Sequence, residues 1–79
     1  MKKVKILINS IDKVKRFVSI ANKFTTTMDI ASGRYIIDAK SIMGIFSMDL
    51  NRPMELIIHS EDEKEIDIIL AELKEFISK

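Results

Sequence analysis

Hydrophobic and polar residues alternate from Lys2 to Ile8, with Val4, Ile6 and Ile8 on one side and Lys3 and Lys5 on the other, which predicts a half-buried strand. Asn9-Ser10 then offers a helix cap. Ile11, Val14, Phe17, Val18, Ala21 and Phe24 follow at three- and four-residue spacing, the stripe of an amphipathic helix. The β-branched run Thr25-Thr26-Thr27 ends that helix and opens a strand through Met28 and Ile30. Ser32-Gly33 supplies hairpin turn chemistry before a third strand over Arg34 to Ala39, so the second and third strands should pair antiparallel. Ser41 caps a short helix through Ser47, with Ile45 and Leu50 pointing inward, and Asn51-Arg52-Pro53 breaks it.

The fourth strand, Met54 to His59, has Leu56 and Ile58 on the core face and Glu55, Ile57 and His59 opposite. Ser60-Glu61-Asp62-Glu63 reads as a capping box, which starts the last helix at Glu61. Its apolar stripe is Ile66, Ile69, Leu70, Leu73, Phe76 and Ile77. The predicted order is βαββαβα: an α+β chain whose helices cover one face of a four-stranded, mainly antiparallel sheet.

A chain of 79 residues and 47% apolar composition has material for one core, so residues 1–79 are expected to form a single domain. No cysteine is present and His59 is the single histidine, which removes thiolate chemistry and leaves no recognisable metal site or cofactor pocket. No apolar run is long enough for a membrane span, and the apolar stretch after Met1-Lys2-Lys3 is too short for a secretory signal, so a cytoplasmic location and no membrane partner are expected. The net charge of +1 conceals an asymmetry. Residues 1–16 carry six cations against Asp12, and residues 55–79 carry eight acids against three lysines, or +5 and −5. The basic segment lacks interleaved aromatics, so it reads as the counterpart of the acidic segment and no nucleic-acid partner is expected. No catalytic constellation emerges: His59 has no second histidine or nucleophilic serine in a recognisable pattern, and Asp67, Glu72 and Glu75 read as a solvated face, so the chain is expected not to be an enzyme.

Ala39-Lys40-Ser41-Ile42-Met43-Gly44-Ile45-Phe46-Ser47-Met48 strongly resembles the regulatory-serine segment of the HPr family, the small phosphocarriers of the bacterial sugar phosphotransferase system. Ala21-Asn22-Lys23-Phe24-Thr25, the Ser32-Gly33 hairpin and Glu61-Asp62-Glu63 with the helix after it are similar to HPr segments at nearly the family spacing, so the resemblance spans almost the whole chain. It implies the HPr-like open-faced β-sandwich. It also implies that Ser41 is a site of regulatory phosphorylation and that Lys40, Ile42, Met43 and Phe46 form a surface for protein partners, such as a serine kinase or a transcription factor.

The family's phosphorylation motif, Gly-Ile/Leu-His-Ala/Thr-Arg-Pro-Ala, falls on Ile8-Asn9-Ser10-Ile11-Asp12-Lys13-Val14. Ser10 stands at the histidine, Asp12 at the arginine and Lys13 at the proline. A hydroxyl there would form a stable ester in place of a high-energy phosphoramidate, and Asp12 would repel the phosphoryl group. The chain therefore resembles the Crh type, which lacks the histidine and keeps the serine, although Crh-type proteins retain the Arg-Pro pair. The expected function is an HPr-like regulatory or interaction module unable to carry phosphohistidine. The alternative is a degenerate phosphocarrier whose acceptor is another residue, such as Ser10 or His59.

Overall fold

The computed structural model describes residues 1–78. Its elements are β1 (Lys2–Ile6), α1 (Ile11–Ala21), β2 (Met28–Ser32), β3 (Tyr35–Asp38), α2 (Ile42–Phe46), β4 (Met54–Ile58) and α3 (Glu63–Glu72), followed by a 3₁₀ turn over Lys74–Phe76. The sheet has the order β1-β4-β2-β3, and every pairing is antiparallel. Gly33 turns the β2–β3 hairpin with φ of +59°, a conformation open to glycine at little cost, and Ser32 faces Tyr35 across the turn.

One face of the sheet is apolar because the period-2 pattern is in phase on neighbouring strands: Ile6 pairs with Met54, Val4 and Ile30 flank Leu56, and Met28 pairs with Ile58. Val14, Phe17, Val18 and Ala21 of α1, Ile45 of α2, and Ile69, Leu73 and Phe76 cover that face. The Phe17 and Phe76 rings meet edge to face at 5.6 Å. The α+β architecture expected of the chain is therefore the one observed.

Several boundaries differ from the expectation. Ser60 does not cap the last helix; its hydroxyl accepts from the Asp62 N–H at 3.1 Å, and Asp62 caps, accepting from the Lys64 N–H at 3.0 Å. Both residue types cap well, and the choice falls to the one placed where the chain leaving β4 reaches the core. The last helix gives way after Glu72 to the 3₁₀ turn, so Ile77 does not continue a helical stripe; it forms an antiparallel bridge with Ile6. The second strand begins at Met28, leaving the threonines in a loop where the Thr26 hydroxyl bonds the Glu65 carboxylate. Ile11 is 63% exposed because it is the first residue of α1 and precedes the stripe that turns inward. Ile57 points away from the helices yet is only 8% exposed, covered in the central strand by Lys3 and Asp29 directly beside it. The basic and acidic segments do meet: Arg16 pairs with Glu75 and the N-terminal amine with Glu61 at 3.0 Å, and Lys23, beyond the basic segment, lies 3.9 Å from Glu72.

Candidate functional site

The segment from Asp38 to Ser47 is built by local hydrogen bonds. As β3 ends, the Asp38 carboxylate accepts from the Lys40 N–H at 2.9 Å and its carbonyl accepts from the Ser41 N–H at 3.0 Å, a tight turn that points the chain into α2. Ser41 keeps extended backbone angles, φ −95° and ψ 100°, while its hydroxyl accepts from the Gly44 N–H at 3.2 Å. This is a serine cap. The residue itself is solvent-exposed.

Gly44 matters here for lack of a side chain. A Cβ on it would stand 3.1 Å from the Ser41 hydroxyl oxygen, close enough to crowd it, and 3.6 Å from Cδ1 of Ile37, an ordinary van der Waals contact. The spacing of serine and glycine three residues apart was visible in the sequence, but its steric meaning was not.

The residues around Ser41 divide. Met43 is 77% exposed, whereas Ile42 and Phe46 are half-buried with one side against the core and Ile45 is fully buried. The surface thus consists of one projecting thioether flanked by the accessible edges of Ile42 and Phe46. Lys40 does not lie free beside the serine: its ammonium donates to the Phe24 carbonyl at 2.6 Å, just beyond the end of α1. That bond ties the turn before α2 to the loop after α1.

Ser10 occupies a different setting. Its hydroxyl accepts from the Lys13 N–H at 3.1 Å and caps α1. The Lys13 ammonium reaches back to the Asn9 side-chain carbonyl at 3.2 Å. Arg16 is held by Asp12 at 3.0 Å and by Glu75, and the hydrogen bond it donates to the Glu75 carboxylate is the main cause that raises its pKa above the usual arginine value. These two cations are therefore already engaged, and Asp12 adds an acid to the first turn.

His59 lies on the open face of the sheet, away from the helices, with Nε2 2.8 Å from the Asp29 carboxylate. Among the described residues no three His, Cys, Asp or Glu side chains converge as metal ligands, and no helix is long and apolar enough to cross a membrane.

An antiparallel four-stranded sheet in the order β1-β4-β2-β3 with three helices packed on one face defines a small open-faced α+β sandwich. The family model described as the PTS HPr component phosphorylation site matches residues 13–79, and the chain belongs to the HPr family. The match begins after Ser10. Among solved structures, HPr-C-His from Thermoanaerobacter tengcongensis is similar at 30% identity, covering 95% of this chain and 92% of that one, with a TM-score of 0.74. A phosphocarrier HPr from Bacillus anthracis is 25% identical over 90% of this chain and 92% of its own, at a TM-score of 0.68. Crh of Bacillus subtilis, a catabolite-repression protein seen as a dimer with a swapped domain, is 28% identical over 96% and 88% of the two chains, at 0.62. No curated protein matches the chain by its sequence.

Proposed function

We propose that this chain is a single-domain, non-enzymatic regulatory module of the HPr family, cytoplasmic, unable to carry phosphate on histidine, and switched by phosphorylation of Ser41. The observation that carries this reading is the exposed Ser41 at the start of α2, whose hydroxyl caps the helix beside a glycine with no side chain to crowd it. A phosphate ester on that oxygen would gain charge-assisted bonds from nearby backbone N–H groups, and Lys40 could join it by giving up the Phe24 carbonyl. Its two negative charges would change the character of the adjoining surface of Ile42, Met43 and Phe46, where the protein partner is proposed to dock. A serine kinase and a transcription factor are the partner classes that fit a switch of this kind.

Loss of the phosphohistidine role is supported by Ser10 and Asp12 where the family's histidine and arginine stand, and by the ion pairs that occupy Arg16. Incubation with phosphoenolpyruvate, the general phosphotransferase enzyme and radiolabel should leave this chain without acid-labile, base-stable label; such label on it would overturn the proposal. A second reading, a phosphocarrier that uses His59, is favoured by the Asp29 carboxylate that orients the ring through Nε2 and leaves Nδ1 as the nucleophile. Label that disappears in His59→Ala would establish it, and label that disappears in Ser10→Ala would assign the acceptor to Ser10.

A further inference from the structure

The two edges of the sheet are treated differently. The outer side of β1 is closed by the chain's own end: the Leu7 N–H donates to the Phe76 carbonyl at 2.8 Å, the Ser78 N–H donates to the Lys5 carbonyl at 2.8 Å, and Ile6 bridges Ile77. Lys2, Lys3 and Lys5 also line β1, and lysines discourage edge pairing. The β3 edge has neither device.

Ladder geometry determines which β3 groups face outward. The Ala39 N–H bonds the Met28 carbonyl at 2.9 Å, and Ile37 and Tyr35 follow in alternation opposite Ile30 and Ser32. Tyr35 and Ile37 therefore turn their backbone groups toward β2, which leaves those of Ile36 facing outward together with the N–H of Asp38. Among the described residues no backbone bond reaches Ile36 from outside the sheet. Tyr35 and Ile36 are 72% and 66% exposed, two adjacent apolar side chains on an unpaired edge.

The segment Arg34-Tyr35-Ile36-Ile37-Asp38 is complementary to itself when run antiparallel. With Ile36 opposite its own copy, Tyr35 meets the partner's Ile37 and Arg34 meets the partner's Asp38. Ile36 then exchanges both backbone bonds across a two-fold axis. Within one copy these charges are poorly answered. Arg34 has no ion pair among the described residues. Asp38 stands directly across from Asp29, a like charge already bonded to His59, and is met only by the Lys40 N–H. Beside Tyr35 on the helix side, a groove lined by Ile37, Met48 and Arg52 leaves room for the partner's tyrosine.

We propose that the β3 edge is a homodimer interface, in which two copies pair β3 with β3 antiparallel about a two-fold axis at Ile36 and so join their sheets. Charge selects this register, since a shift along the strand separates Arg34 from the partner's Asp38. A strand of four residues buries little area, so the dimer is weak and depends on concentration.

The inference does not depend on any role for Ser41. Sedimentation of the full chain should show reversible dimerisation as concentration rises to about 1 mM, the range that reports weak association. The Ile36 and Asp38 N–H groups should gain protection from hydrogen exchange in step with it. Arg34→Asp and Asp38→Arg should each raise the dimer dissociation constant at least about fivefold, because two symmetric pairs turn from attractive to repulsive. An equimolar mixture of the two variants should dimerise again, since every pair is then opposite in charge. Restoration on mixing also shows that both variants are folded. A chain that stays monomeric throughout this range overturns the proposal, as does a dimer that survives both changes or leaves those two amides unprotected.

Discussion

The serines that begin α1 and α2 make the same cap bond in unlike surroundings. Each hydroxyl accepts from the N–H three residues on, at 3.1 Å for Ser10 and 3.2 Å for Ser41. At α1 that third residue is Lys13, whose side chain folds back onto Asn9, and the same turn carries Asp12 and its pair with Arg16. At α2 the third residue is Gly44, with no side chain, and the first turn holds no acid. A cap bond alone says little about function, because the capping oxygen is satisfied in both. What separates the two sites is the steric and electrostatic space left around that oxygen.

The largest expected effect is therefore all-or-none. A serine kinase that acts on HPr-family proteins should label Ser41 and leave Ser10 untouched, so Ser41→Ala abolishes incorporation and Ser10→Ala preserves it, read by intact-mass spectrometry. Loss of label in Ser10→Ala with the fold intact would erase the distinction.

Next in size, Gly44→Val should slow labelling at least about tenfold, equivalent to roughly 1.4 kcal/mol in the transition state, because its Cβ would stand 3.1 Å from the acceptor oxygen. Lys13→Val at the corresponding position of α1 should leave the rate unchanged. Equal rates for wild type and Gly44→Val would show that the glycine serves only the backbone.

The surface beside Ser41 should split under substitution. Phe46→Lys removes a ring packed on the core and is expected to cost about 2 kcal/mol, whereas Met43→Lys, at 77% exposure, should stay within about 0.5 kcal/mol. Thermal or denaturant unfolding distinguishes them. Met43→Lys is thus the variant to use in partner-binding assays, since weaker binding by it cannot be ascribed to a damaged fold.

The caps themselves should be the nearest to equal. Ser10→Ala and Ser41→Ala should each cost about 1 kcal/mol, and Ser41→Asp should restore most of the second loss by keeping both the cap and a favourable charge at the helix start. Full recovery by Asp at Ser41 combined with a clear loss by Asp at Ser10, next to Asp12, would extend the contrast to electrostatics.

Much of this protein is determined by residues close together in the chain. Period-2 alternation around Val4 and Leu56 specifies strands, spacing of three and four from Val14 to Ala21 specifies a helix, and Ser32-Gly33 specifies a hairpin; each is enforced by steric and hydrogen-bonding rules that act over a few residues. The serine caps were legible for the same reason, as was the absence of a histidine before α1. Tertiary structure alone decided the rest. Asp62 and Ser60 are both competent caps, and only the approach of the last helix to the core selects between them. The ties from Lys40 to Phe24 and from Arg16 to Glu75 join residues 16 and 59 positions apart, so no local pattern announces that those cations are engaged. Closure of the β1 edge by Phe76 to Ser78 and exposure of the β3 edge likewise follow from where the folded chain returns, because a strand's sequence encodes its pleat and not its neighbours.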